Sequence, residues 1–174
     1  FLRYQFYYDG RLWRRNKIMI LISHRGNVYG PEPRLENSPV YINSALQENY
    51  FVEIDVWKIK DSWFLGHDGP AYETTEKFLT QKNLLIHAKN LDALKCLLEL
   101  DVHCFWHQED FYTITSRGLI ISYPGYATGE NVICMKPELI SMDTIRDCHA
   151  ICSDYVGIYK DKKPEIKVGF SETR

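Results

Sequence analysis

No apolar run in this chain approaches the ~20 residues that a membrane helix needs. The longest, Ile18 to Ile22, is too short even for the core of a signal peptide. Nor is there an excess of charge of one sign. Lys and Arg number 21, Asp and Glu number 23, and the net charge is −2. That balance argues against a general nucleic-acid binder. The cysteines (Cys96, Cys104, Cys134, Cys148, Cys152) are odd in number and scattered. They read as reduced, mostly buried thiols in a cytoplasmic protein rather than as a disulfide framework. Cys148-His149-x-x-Cys152 is a loose metal-like cluster, but it lacks the second ligand pair that structural zinc needs. Missing too is a Ser or Cys nucleophile with a base placed to activate it, so covalent catalysis ranks low.

What is present suits one globular domain. The chain has 174 residues, 45% hydrophobic and 25% charged, enough for a sizeable core. Residues 1–16 are aromatic and basic around Asp9-Gly10, a hairpin turn signal, and read as an N-terminal hairpin or extension. Residues 17–159 form the main domain, and 160–174 a charged tail expected to fray. The first residue is Phe1 rather than Met, so the natural N-terminus is expected to lie upstream.

The chain is organised around Phe51-Val52-Glu53-Ile54-Asp55-Val56-Trp57. Val52, Ile54 and Val56 alternate with Glu53, Asp55 and Trp57, which is the period of a strand. The two carboxylates fall on one face, about 6.6 Å apart at ~3.3 Å per residue. Acids are poor strand formers. A hard divalent cation would explain the pair; a solvated outer face would explain it equally well.

Around this strand the chain repeats strand, polar residues, helix. Lys17–Ser23, Leu84–Ile86, Val102–Trp106, Val132–Met135 and Ala150–Cys152 read as further buried strands. Ile42–Asn49, capped near Asn43 or Ser44, and Leu91–Leu100 read as helices. Shorter helical turns are expected over Thr74–Leu79 and Met142–Asp147. Trp63–Leu65 reads as a return strand, and Phe111–Thr115 with Leu119–Ser122 as a hairpin outside the main repeat. The repeat predicts an α/β fold with parallel strands, namely a reduced or incomplete TIM (β/α) barrel with several short or missing helices. A full barrel takes ~250 residues. An open flavodoxin-like sheet fits the length better, but not chemistry on so many strand ends.

The strand ends carry His24 and Arg25, Glu53 and Asp55, His67, and His87 with Lys89. Ends of buried parallel strands are where barrel enzymes place their chemistry. Paired carboxylates suit a divalent metal ion (Mg²⁺, Mn²⁺ or Ca²⁺), which neutralises charge on phosphoryl oxygens. Two histidines suit proton transfer on opposite sides of phosphorus. Arg25 offers a planar fork to phosphate.

His24-Arg25-Gly26, Glu36-Asn37-Ser38, Glu53-Ile54-Asp55-Val56 and His67-Asp68 occur in that order over 45 residues. This series resembles the signature of the glycerophosphodiester phosphodiesterases, within the phosphatidylinositol-phospholipase-C-like barrels. Residues 18 to 90 carry the likeness, and Ser153-Asp154 looks like the family's closing Thr-Asp. The resemblance implies His24 and His67 as the acid/base pair, Glu53 and Asp55 as metal ligands, and Arg25 and Lys89 on the phosphate. It also implies attack by a hydroxyl next to the phosphate, on a small-molecule phosphodiester substrate. His87 stands where the family carries a glutamate. An imidazole there would favour a softer ion such as Mn²⁺ over Ca²⁺, with Glu138 as the alternative third ligand. The family's insertion after the His-Asp turn, which helps hold glycerol, is missing. Glu36 is expected to brace the His24 loop, and Trp106 to line core or pocket. Two rivals remain: a barrel that binds a phosphorylated ligand without turning it over, and a phosphomonoesterase on an open sheet. Missing helices would leave apolar barrel surface exposed, so a homodimer is expected.

Overall fold

The computed structural model describes residues 19–126, 128–140, 145 and 148–160. The hairpin expected over residues 1–16, most of the turn at 142–147 and the tail beyond Lys160 lie outside the described residues. The strands are β1 (Ile20–His24), β2 (Phe51–Ile59), β3 (Ser62–Leu65), β4 (Tyr72–Thr74), β5 (Leu84–Ala88), β6 (Cys104–Trp106), β7 (Tyr112–Ile114), β8 (Ile120–Ser122), β9 (Val132–Met135) and β10 (Ala150–Ser153). The helices are α1 (Pro39–Gln47), α2 (Glu76–Leu79), α3 (Leu91–Glu99) and α4 (Gly157–Lys160), with a 3₁₀ turn at Pro137–Leu139. None is long and apolar enough to cross a membrane.

The strands form one curled sheet of mixed α/β character with few helices. Its parallel run is β6-β5-β2-β1-β10-β9-β8. β7 pairs antiparallel with β8, and a single antiparallel bridge, Phe105 to Thr115, links the β6 end back to this hairpin. The Phe111–Ser122 segment is therefore a hairpin as expected, but it does not stand outside the repeat: β8 joins β9 in the main sheet. Tyr72–Thr74 extends the β2–β3 hairpin as a third strand, one the sequence did not announce.

Local signals explain the connections. α1 begins earlier than the periodicity suggests, because Ser38 rather than Asn43 or Ser44 caps it. The Ser38 hydroxyl accepts from the Tyr41 N–H, and Pro39 occupies the first turn, where a missing N–H costs nothing. Asn90 caps α3 through the Ala93 N–H. Left-handed Asn49 and Asp101 follow the two longer helices, a common helix stop.

The curl gives β2 two buried faces. Val52, Ile54 and Val56 pack outward with Ile42, Leu79 and Leu97. Inside the curl, Ile22, Leu85, Ile121 and Ile133 fill the lower part. Glu53 and Asp55 point to this inner side and are 2% and 1% exposed. The solvated-face reading of the acidic strand is thereby excluded.

Candidate active site

Strand register assembles the site. Parallel pairing puts His24 beside Glu53 across β1 and β2, and Asp55 beside His87 across β2 and β5. His24, Arg25, Glu53, His67, His87 and Lys89 line one cleft of about 640 Å³ at the strand ends, with Asp55 buried beneath its floor. All seven residues expected from the sequence thus converge.

His24 is 4% exposed. Its Nδ1 lies 2.6 Å from Asp154 Oδ1. The Asp154 carboxylate can only accept, so Nδ1 carries the proton and Nε2 is left free as a base. Asp154 also accepts from Asn27 Nδ2 at 2.8 Å and lies 3.5 Å from Lys136 Nζ. Burial opposes its ionisation, but the bond from His24 and these neighbours outweigh burial and hold its carboxyl well below the usual range.

Arg25 turns the chain at a left-handed φ of 55°. Its Nη1 donates to Glu36 Oε2 at 3.1 Å, and its Nε lies 3.1 Å from Asp55 Oδ2. Glu36 also accepts from Asn27. It therefore braces the loop after β1, as expected. Asn37, also left-handed, donates to Asp55 Oδ2 and accepts from the Asp55 N–H, both at 2.9 Å.

The two acids of β2 are treated oppositely. Burial works against ionised Asp55, yet the contact with His87 and the charges of Arg25 and Lys89 hold its carboxyl well below its ordinary value. Burial, then the charge of Asp55, pushes Glu53 up, with His24, His87 and Arg25 offsetting part of the shift. Glu53 Oε2 is 3.9 Å from His24 Nε2, and Oε1 is 4.0 Å from His87 Nδ1. Glu53 Oε2 and Asp55 Oδ1 are buried with no hydrogen bond directed onto them. His87 Nδ1 at 3.1 Å and Lys89 Nζ at 3.5 Å approach Asp55 Oδ1 without closing a well-aligned bond. Buried carboxylate oxygens left this way are costly.

A divalent cation fits this arrangement. One ligand atom each from Glu53, Asp55 and His87 lie within 4.8 Å of one another, as around a single ion. His87 Nε2 donates to the His107 carbonyl at 3.1 Å, which leaves Nδ1 of the neutral ring as the nitrogen that would face an ion. Glu138 is engaged elsewhere: it accepts from the Ser153 hydroxyl at 2.7 Å and the Asp154 N–H at 3.3 Å.

His67 is built differently. Its turn needs Gly66, with φ of 145°, where a Cβ would meet the Gly69 carbonyl at 2.2 Å. Trp57 Nε1 donates to the Gly66 carbonyl at 2.6 Å and steadies the turn. The His67 side chain is 40% exposed, and Nδ1 lies 2.6 Å from Asp68, itself 97% exposed.

Several site residues carry little signal in the sequence. Asn27 and Lys136 act through tertiary contacts that spacing does not reveal, and Asn37, which the sequence marks only as part of Glu36-Asn37-Ser38, holds Asp55. Asp154, in the sequence a strand-end acid resembling the family's closing Thr-Asp, is brought onto His24 by the pairing of β1 with β10. His107, assigned no role from sequence, holds His87 through its carbonyl and stacks on Tyr123 with ring centroids 3.9 Å apart. Comparison with protein-family models, curated proteins and solved structures finds no match to this chain.

Proposed function

We propose that this chain is a metal-dependent phosphodiesterase on a reduced (β/α) barrel, using His24 and His67 as base and acid. The observation that carries the reading is the Glu53–Asp55–His87 cluster. Two of its buried oxygens accept no hydrogen bond, and it lies beside a cleft lined by His24, His67, Arg25 and Lys89. The curled, mostly parallel sheet with chemistry on consecutive strand ends supports the barrel reading.

Glu53, Asp55 and His87 would hold the ion. Once bound, it would neutralise phosphoryl charge and acidify a substrate hydroxyl. Arg25 and Lys89 orient the phosphate, each already anchored by Asp55. His24 Nε2 takes the proton from the hydroxyl next to the phosphate. That oxygen bonds to phosphorus while the bond to the leaving alcohol breaks. His67 gives its proton to the departing oxygen, leaving a cyclic phosphate and a free alcohol. His24 is suited to the base role because Asp154 fixes its tautomer. His67, nearer solvent, can exchange protons between turnovers.

The test is release of alcohol from a panel of phosphodiesters with Mg²⁺, Mn²⁺ or Ca²⁺ and with chelator, for the native protein and His24→Ala. Metal-dependent turnover, lost in the variant, is expected. Folded native protein that turns over no diester with any metal, or hydrolyses monoesters alone, would sink the proposal.

A further inference from the structure

The cleft has two unlike sides. The ion cluster and its cations come from the ends of β1, β2 and β5. The other side comes from the ends of β6 and β8 and carries Phe105, Trp106, His107, Gln108, Tyr123 and Pro124. This side has no use in the phosphate chemistry, yet it is firmly built. His107 stacks on Tyr123, with planes 18° apart, and hydrogen-bonds the Asp110 carbonyl. Phe105 stacks on His87 at 4.6 Å. Rings locked this way lose little freedom when a ligand settles on them.

The same side offers polar groups that are not spent on the protein. Gln108, Tyr123 and Trp106, the last half-buried against the core on the outer side of the sheet, line the cleft, and the side-chain polar groups of all three hydrogen-bond to no described residue. A phenol is protonated at neutral pH, so the Tyr123 hydroxyl can donate. A fatty chain would leave these groups facing hydrocarbon, which is costly. A glycerol arm has no flat face to lay on the rings. A sugar ring satisfies both features. Its C–H face packs on the electron-rich aromatic face, and its hydroxyls pair with the free donors and acceptor at the rim.

We infer that the alcohol accommodated beside the phosphate is a sugar ring, so that the substrate is a sugar phosphodiester rather than a glycerol-only diester or a lysophospholipid. This rests on the phosphodiesterase reading for its turnover, but not for binding. Trp106 and Gln108 are then the residues that set specificity.

The experiment uses three diesters: the glycerol ester of glucose 1-phosphate, glycerophosphoglycerol and a lysophosphatidylcholine. Turnover of each is measured in the native protein, Trp106→Ala and Trp106→Phe. Saturation-transfer NMR on the sugar diester is run in parallel with chelator present, so that binding is read without chemistry. Expected are a kcat/KM for the sugar diester about tenfold or more above the others, and a fall of about tenfold in Trp106→Ala, carried mainly by KM. The glycerol diester should lose much less. Trp106→Phe, which keeps a ring and removes the N–H, should fall between, and it stands in if Trp106→Ala does not fold. Sugar C–H protons should receive saturation in the native protein and lose it in Trp106→Ala. Equal kcat/KM for all three diesters, or equal losses in the variant, overturns the inference. Sugar transfer without turnover of any diester would support the sugar site while refuting the phosphodiesterase. Neither transfer nor turnover would end both.

Discussion

His24 and His67, the proposed base and acid, enter the cleft from regions built in opposite ways. At the end of β1, His24 is buried and pinned by Asp154, which is in turn held by Asn27 and Lys136. At the turn after β3, His67 is partly open, and its partner Asp68 is almost wholly in water. The sequence motifs look alike, a histidine next to a turn, yet the physics differs. In the buried region one carboxylate can dictate a tautomer, because low dielectric strengthens its pull. In the exposed region water competes for the same bond, and the Asp68 pair is worth little. A group that must present one lone pair belongs in the first setting. A group that must reload with a proton from solvent belongs in the second.

The largest effects should come from the buried region's acids. Asp55→Asn and Glu53→Gln should each lower turnover about a thousandfold or more and abolish Mn²⁺ binding measured by calorimetry. Retained Mn²⁺ binding in both variants would move the ion site elsewhere. Next comes a matched pair that sharpens the contrast between the histidines. Asp154→Asn should cost on the order of 10²–10⁴ in kcat, since the amide favours the wrong His24 tautomer. Asp68→Asn should cost less than about tenfold. Comparable losses in the two would mean that burial does not separate these histidines. His67→Ala should cost about 10²–10³, and less on a diester with a nitrophenol leaving group, which needs no acid. Its melting temperature should stay within about a degree of native, because a substitution at an exposed turn rarely matters.

The contrast also shows what a sequence can and cannot disclose. Glu53 and Asp55 stood out because acids in an apolar strand break local preference, and such breaks gather at functional sites. The buried strands were legible from their apolar runs, and α3 from its leucine spacing. The start of α1 lies ahead of its apolar spacing, because Ser38 followed by Pro39 opens the helix through capping chemistry, which periodicity does not carry. β4 escaped because Tyr72-Glu73-Thr74 is too short to show a period. Whether the acidic face met water or the interior of a curl could not be read from alternation, which is the same in both cases. Asn37, seated against Asp55 in a left-handed turn, and His107, acting through its carbonyl, are contacts of the fold alone.

The smallest effect is also the one that most directly tests the idea of an awaited cation. Glu53 has a folded-state pKa above its unfolded value. Such a group contributes stability below its unfolded pKa, near 4.3, and loses it as pH rises through the folded value. Asp55 has the reverse sign: its contribution is present above about 3.9 and is lost as pH falls through its folded value. In chelator at neutral pH, Glu53→Gln should therefore raise the melting temperature by about 2–4 °C per kcal/mol of relief. Asp55→Asn should lower it and strand the charges of Arg25 and Lys89. The first difference should narrow toward pH 4, whereas the second should persist there and narrow only as pH falls below about 3.9. Saturating Mn²⁺ should reverse the first sign, because the ion stabilises only a protein that keeps its ligand. A carboxylate buried for structure would destabilise on removal in both conditions. One buried for an ion should be better absent until the ion arrives, and Glu53→Gln measured with and without Mn²⁺ separates the two.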